Sequence, residues 1–192
     1  MPRLLQPKLT SQDWIKAGFR ALTREGVSGL KAETLARTLK STKGSFYWHF
    51  KDVSAFKRNM LKLWQAEATS AIIRHVDSIG GSAPDRLTTL IETVSSISAD
   101  NEYGGLQAEP AIRSWAQNDK VAMRTLCLVD AERIAFVKGL FFSHGHSNED
   151  ANSSANVFYA SLLGMQSLAA TREFDVGKHL KQVLALLLEN RT

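Results

Sequence analysis

The stretch Thr42-Lys43-Gly44-Ser45-Phe46-Tyr47-Trp48-His49-Phe50-Lys51-Asp52 gathers side chains that bind polyanions. On a helix, Phe46 and Phe50 stand four residues apart and share one face, which suits a core. Lys43, Ser45, Tyr47, Trp48 and His49 then spread over the remaining surface. Lysine supplies a point charge, Thr42 and Ser45 supply hydroxyls, tyrosine joins a ring to a donor, and Gly44 admits a close backbone approach. This inventory suits phosphate oxygens and base edges. The competing reading takes Tyr47, Trp48 and His49 as boundary residues of a small helical core.

The elements around this stretch must position it. Thr10-x-x-Asp13 reads as a capping box, and Ile15, Gly18, Phe19 and Leu22 follow helical spacing, predicting a helix over about 11–25 that Gly26 ends. Leu35, Ala36 and Leu39 mark a second helix over about 32–39. Lys40-Ser41-Thr42 then connects it to the focal helix, with Thr42 as N-cap. Two short helices joined by about three residues make the helix-turn-helix plan, in which the first braces and the second reads. Asp52 caps the next helix, whose Phe56, Met60, Leu63 and Trp64 tie the head to the rest of the chain.

Charge is segregated along the chain. Residues 1–65 hold 13 Lys and Arg against 4 Asp and Glu, whereas the remainder holds 11 against 15. A basic head on a mildly acidic body favours a polyanion partner for the head. The 192 residues provide ample material for a core. The lone cysteine, Cys127, lies in an apolar helical stretch and is expected to be a buried, reduced thiol in a cytoplasmic protein. The start of the chain carries no long apolar run, and no stretch nears the roughly 20 apolar residues that cross a bilayer, so no membrane partner is expected.

No common enzyme motif has a foothold, and neither a cofactor nor a catalytic residue is implied. His49 has no second ligand at zinc-like spacing, and His144-Gly145-His146 lacks a carboxylate or thiol cluster close in sequence. No metal site is expected, and the second of these reads as a loop.

Beyond residue 66 the pattern is all helix. Gly80-Gly81-Ser82-Ala83-Pro84 makes one break, and residues 101–106 with Gly104-Gly105 make another. Pro110 is expected in or near the first turn of the next helix. The last two helices, over about 149–171 and 176–190, carry more apolar surface than one core face needs. Val157, Leu163 and Leu168 join the first, and Leu180, Leu184 and Leu187 the second. Ala160, Ser161 and Gly164 would permit a close helix approach. Complete burial in one subunit and partial contact with a second chain both fit this pattern.

From Thr10 to about Leu61 the chain resembles the DNA-binding domain of TetR-like transcriptional regulators. The resemblance rests on Arg24-Glu25-Gly26, Leu35-Ala36-Arg37-Thr38-Leu39, Gly44-Ser45-Phe46-Tyr47-Trp48-His49-Phe50 and the long helix after it. It implies an all-α protein with a three-helix helix-turn-helix head over 10–55, preceded by a flexible basic arm over 1–9. A helical ligand-binding and dimerisation body would cover 56–192. It further implies that Thr42, Lys43, Gly44 and Ser45 face the major groove of double-stranded DNA, that Tyr47 and His49 hold the phosphodiester backbone, and that Lys31 anchors the opposite groove wall.

The resemblance also implies pairing through the last two helices into a homodimer on a palindromic operator, and a small-molecule effector cavity in the body. Trp64, Tyr103, Trp115, Met123 and Phe136 are the aromatic and methionine candidates for lining it. The body shows no clustered charge in sequence, which points to an uncharged or largely apolar effector. Two departures from the family pattern stand out. Lys40 occupies a turn position usually held by glycine, so a left-handed backbone there would be strained. Val53 replaces a usual lysine, leaving Lys51 or Lys57 to compensate. The functional expectation is a repressor released by its ligand. The alternative is a helical carrier or enzyme whose basic head reads no sequence.

Overall fold

The computed structural model describes residues 9–96 and 102–189. The expected arm lies almost wholly outside the described residues. Of it, Leu9 is described, and it packs against the head's core. Ten α-helices are present among the described residues, with no strand.

The head comprises α1 (Ser11–Glu25), α2 (Ala32–Thr38) and α3 (Lys43–His49). Each start has its cap. The Thr10 and Asp13 side chains exchange bonds with each other's backbone in a full capping box, and Thr42 Oγ1 accepts from the Ser45 N–H at 3.2 Å. Between α2 and α3, the Ser41 N–H donates to the Ala36 carbonyl at 2.8 Å and the Lys40 N–H to that of Arg37 at 3.1 Å, the paired bonds of a Schellman ending. Lys40 takes the left-handed position at φ 50°, where glycine is usual.

A continuous helical rod comes next: α4 (Val53–Gln65), a π turn (Ala66–Ser70) and α5 (Ala71–Ile79). Asp52 Oδ1 caps it through the Ala55 N–H at 2.6 Å. Gly18 lets α1 press onto this rod, because a Cβ there would stand 2.6 Å from the Phe56 ring and 2.7 Å from the Met60 sulfur. The body continues with α6 (Ala83–Ser95), α7 (Gly105–Ala116), α8 (Lys120–Ser143), α9 (Asn148–Ala169) and α10 (Val176–Glu189). Pro110 falls inside α7 rather than in its first turn, because the helix already starts at Gly105, after Gly104 in the left-handed conformation.

Two hydrophobic cores fill the molecule. One joins α1–α4 to α7 and the first half of α8 through residues such as Trp14, Phe46, Phe56, Ile112 and Leu126. The other joins α5, α6, the second half of α8, α9 and α10 through Val76, Ile91, Phe141, Phe158 and Leu180. The head is therefore packed into the body through the first core.

Helix α8 serves both cores with one stripe, Ala122, Leu126 and Val129 in the first and Val137 and Leu140 in the second. Cys127 lies off that stripe and is exposed, contrary to the expectation of a buried thiol. Apolar neighbours in sequence do not imply burial at this point of α8, since Leu128 beside it is also exposed. No helix among the described residues is long and apolar enough to cross a membrane.

Candidate functional site

Helix α3 is pinned from beneath by aromatic rings. Phe46 is fully buried and meets Trp14 edge-on at 5.4 Å and Phe56 at 5.3 Å, while Phe50 meets Phe56 at 5.0 Å. This anchoring fixes which side chains face out. Thr42, Lys43, Gly44, Tyr47, Trp48 and Lys51 are exposed, and Ser45 and His49 half-buried. Lys31, exposed, is the N-cap of α2. Lys43 pairs with Glu33 of α2. That bond draws the Glu33 carboxyl below its ordinary range and raises the Lys43 ammonium above its own. Val53, half-buried, packs against the head's core instead of offering a cation.

A second feature lies in the body, where the rod meets α6, α7, α8 and α9. A cavity of about 310 Å³ is walled by Leu63, Trp64, Glu67, Ile72, Phe136 and Phe158, among others. Of the five aromatic and methionine candidates, Trp64, Tyr103 and Phe136 line it. Trp115 does not: it is buried in the first core and faces a separate groove beneath Lys57, whose ammonium stands 5.6 Å from its ring. Met123 is exposed on α8, because the inward stripe there runs through Ala122 and Leu126.

One wall of the cavity is polar, contrary to the expectation that no charge cluster exists. Arg133 donates from Nε to Thr69 Oγ1 (3.0 Å), from Nη1 to Glu109 Oε2 (3.0 Å) and Tyr159 Oη (3.0 Å), and from Nη2 to the Ala68 carbonyl (3.1 Å). Arg113 donates to Glu109 and, through both terminal nitrogens, to Asp130, at 2.6 and 3.2 Å. The Tyr159 hydroxyl accepts from both arginines and donates to Asp130 at 2.7 Å.

Burial opposes the charge on Arg133, but Glu109 and Tyr159 together outweigh it, so this guanidinium holds its proton more firmly than usual. Burial pushes the Tyr159 phenol well up. Two of the bonds to Arg133 come from the π turn of the rod, so the segment that carries the head is fastened to the cavity wall.

The signal for this cluster was in the sequence. On the α8 stripe, Arg133 stands four residues from both Val129 and Val137, a charged group at a core position. Glu109 and Arg113 also stand at i, i+4 on α7.

The residues expected at a subunit contact separate into two sets. Val157, Ala160 and Gly164 are exposed on α9, with Ser161 half-buried beside them. Leu180 and Leu184 are corrected: both are buried in the second core, turned toward the protomer's own helices, and Leu187 is half-buried against that core. Leu186 is the α10 leucine left 69 % exposed. The loop expected at His144-Gly145-His146 has His146 buried, its Nε2 at 2.9 Å from the Leu187 carbonyl. Among the described residues, no group of His, Cys, Asp and Glu is arranged to hold a metal ion.

A small helical head with an outward-facing third helix, carried by a rod that walls a cavity in a helical body, is the architecture of the TetR-family regulators. The chain has that fold. It superposes on a TetR transcriptional regulator from Legionella pneumophila with a TM-score of 0.76 at 14% identity, covering 97% of this chain and 100% of that one. A candidate TetR-family transcriptional regulator from Rhodococcus sp. gives 0.76 at 21% identity over 93% and 98%. A candidate transcriptional regulator from Saccharomonospora viridis in complex with choline gives 0.74 at 14% identity over 94% and 95%. No protein-family profile and no curated protein sequence matches the chain.

Proposed function

We propose that this chain is a sequence-specific DNA-binding transcriptional regulator, a homodimeric repressor that a small molecule bound in the body releases from a palindromic operator. The observation that carries this reading is the outward face of α3, where Lys43, Tyr47 and Trp48 are exposed above the buried Phe46. A large aromatic surface left in water beside cations suits a partner that offers phosphates and base edges. In this reading Thr42, Lys43, Gly44 and Ser45 meet bases, while Lys31, Tyr47, Trp48, His49 and Lys51 hold the backbone.

The exposed Val157, Ala160 and Gly164 on α9 support pairing of two chains, which would present two heads to successive major grooves. Val157→Asp should convert dimer to monomer on a calibrated sizing column with the helical circular dichroism kept. An unchanged elution volume would reject this face.

Release would act through the rod. Trp64, Glu67, Thr69 and Ile72 of the rod line the cavity, so an occupant bears on the segment that carries α3. It shifts the heads only as far as its preference for the released arrangement allows. The choline held by the Saccharomonospora viridis protein of this fold supports a small-molecule occupant.

The test is fluorescence anisotropy with DNA from upstream of the coding region against a scrambled duplex, over a salt series. Specific regulation predicts a preference of about a thousandfold and a steep salt slope. Equal binding to both would make the head a non-specific clamp, and no binding at low salt would favour a helical carrier.

A further inference from the structure

Three charged side chains line the cavity: Glu67, Glu109 and Arg133. Their availability to a ligand differs. Arg133 has four of its five N–H donors engaged by Thr69, Ala68, Glu109 and Tyr159, and its charge faces Glu109 at 3.0 Å. Glu109 gives its other oxygen to Arg113 at 2.8 Å. An incoming carboxylate or phosphate would have to displace Glu109, which would leave a buried acid unpaired. The Glu67 carboxylate makes no ion pair or hydrogen bond to any described residue, and the residue is exposed where it borders the cavity. The remaining wall is largely aliphatic and aromatic, with Tyr103 and Phe158 among its rings.

Resting on the reading of this cavity as the effector site, we propose that its ligand class is a small amphipathic cation, an amine or quaternary ammonium on an apolar body, with Glu67 as its counter-charge. The cavity's volume of about 310 Å³ sits at the low end of small-molecule sites, so the ligand is compact. The cationic end reaches Glu67 on the open side, and the apolar body enters among Leu63, Ile72, Leu90 and Phe158. Aromatic rings tolerate a cation's flank as well as an alkyl chain, so the wall accepts both ends of such a molecule. Because Glu67 lies in the π turn, charge neutralisation there falls on the segment that Arg133 fastens.

The test is isothermal titration calorimetry of the full chain with three probes of one shape: benzyltrimethylammonium, its neutral isostere neopentylbenzene, and the anion phenylmethanesulfonate. The cation should bind about tenfold more tightly than the neutral probe, as expected for a quaternary ammonium set against a carboxylate and aromatic rings, and the anion most weakly. Glu67→Gln should bring the cation down to the neutral probe's affinity. Glu189→Gln, which removes a carboxylate outside the cavity, should leave it unchanged. Thermal melting of each variant checks that the fold is kept.

Equal or tighter binding of the neutral or anionic probe overturns the proposal, as does an equal loss in both variants. In those cases release of DNA by the bound neutral or anionic probe would leave the effector site standing. Binding of none of the three overturns the ligand class and the effector site together.

Discussion

The outer face of α3 and the polar wall of the cavity each assemble tyrosine with basic side chains, and they do opposite work. On α3 the aromatic anchoring lies below and the polar groups are left at the surface, so deleting one should take little from the fold. Around Arg133 the polar groups satisfy one another in a half-buried seam between two cores, so deleting one strands its partners. In the proposed reading the surface groups of α3 are available to a partner, whereas the groups around Arg133 are turned in on one another and hold the fold.

The largest expected effect breaks the inner cluster. Arg133→Met removes four bonds at once and leaves Glu109 with one fewer counter-charge in a seam where both side chains are less than one-fifth exposed. Urea denaturation should show a loss of about 3 kcal/mol, the low end of the cost of breaking a buried ion pair, because Glu109 keeps Arg113. A loss below about 1 kcal/mol would mean that the cluster is solvated and the contrast with α3 unfounded.

The outer face should respond the other way. Tyr47→Ala should leave stability within about 0.5 kcal/mol, since the ring is half in water. It should weaken binding to all duplexes alike. Lys43→Ala should flatten preference at particular bases by about 1–3 kcal/mol. Its pairing with Glu33 adds a sharper test, because the ammonium must leave that carboxylate to meet a base. Glu33→Gln should therefore raise operator affinity by a small factor, about threefold, in anisotropy titrations at low salt. Loss of affinity in that variant would mean that the pair orients Lys43 for contact.

The two regions were unequally legible before folding. Caps, breaks and the α3 stripe are local signals, so Thr10, Thr42, Asp52 and the two phenylalanines could be placed from spacing alone. Lys40 is legible as a strained turn position only through the resemblance, whose pattern places glycine there; the structure has it at φ 50°. Arg133 is legible as a charge at a core position of α8, but most of its partners are not, because their bonds reach up to 65 positions along the chain, as between Ala68 and Arg133. The π turn gave no signal either, since Gln65-Ala66-Glu67-Ala68-Thr69-Ser70 is compatible with an unbroken α-helix.

Apolar composition misled for Leu180 and Leu184. A helix with leucine on several sides offers no local means of telling the face its own subunit covers from the one a partner would. Trp115 and Met123 misled for the same reason, as side-chain size says nothing about which core a residue enters.

A smaller effect isolates strain within the recognition head. Lys40 holds φ 50° at the end of α2, a conformation that costs a residue with a Cβ about 1 kcal/mol or more. Lys40→Gly should raise stability by somewhat less than about 1 kcal/mol, because glycine also gains freedom in the unfolded chain. Base preference should be unchanged, since the turn lies before Thr42. A destabilised variant would show that the lysine side chain holds the turn by contacts that outweigh its backbone cost.

The smallest effect concerns acid and falls on the ends of two helices, one in each region. The side-chain and backbone bonds from Thr10 hold Asp13 below its ordinary carboxyl range at the start of α1, and those from Ser82 do the same for Asp85 at the start of α6. In both cases the folded protein binds its proton less readily than the unfolded chain. Each bond's contribution is therefore complete above the unfolded value of about 4 and is lost as pH falls through the lower folded value. Asp13→Asn should lower stability near neutral pH and flatten the decline below about pH 4, read as the denaturation midpoint against pH. Asp85→Asn should do the same from the body's side. If either variant kept the full acid slope, the decline would have to come from other carboxylates, and the capping boxes would be bystanders to it.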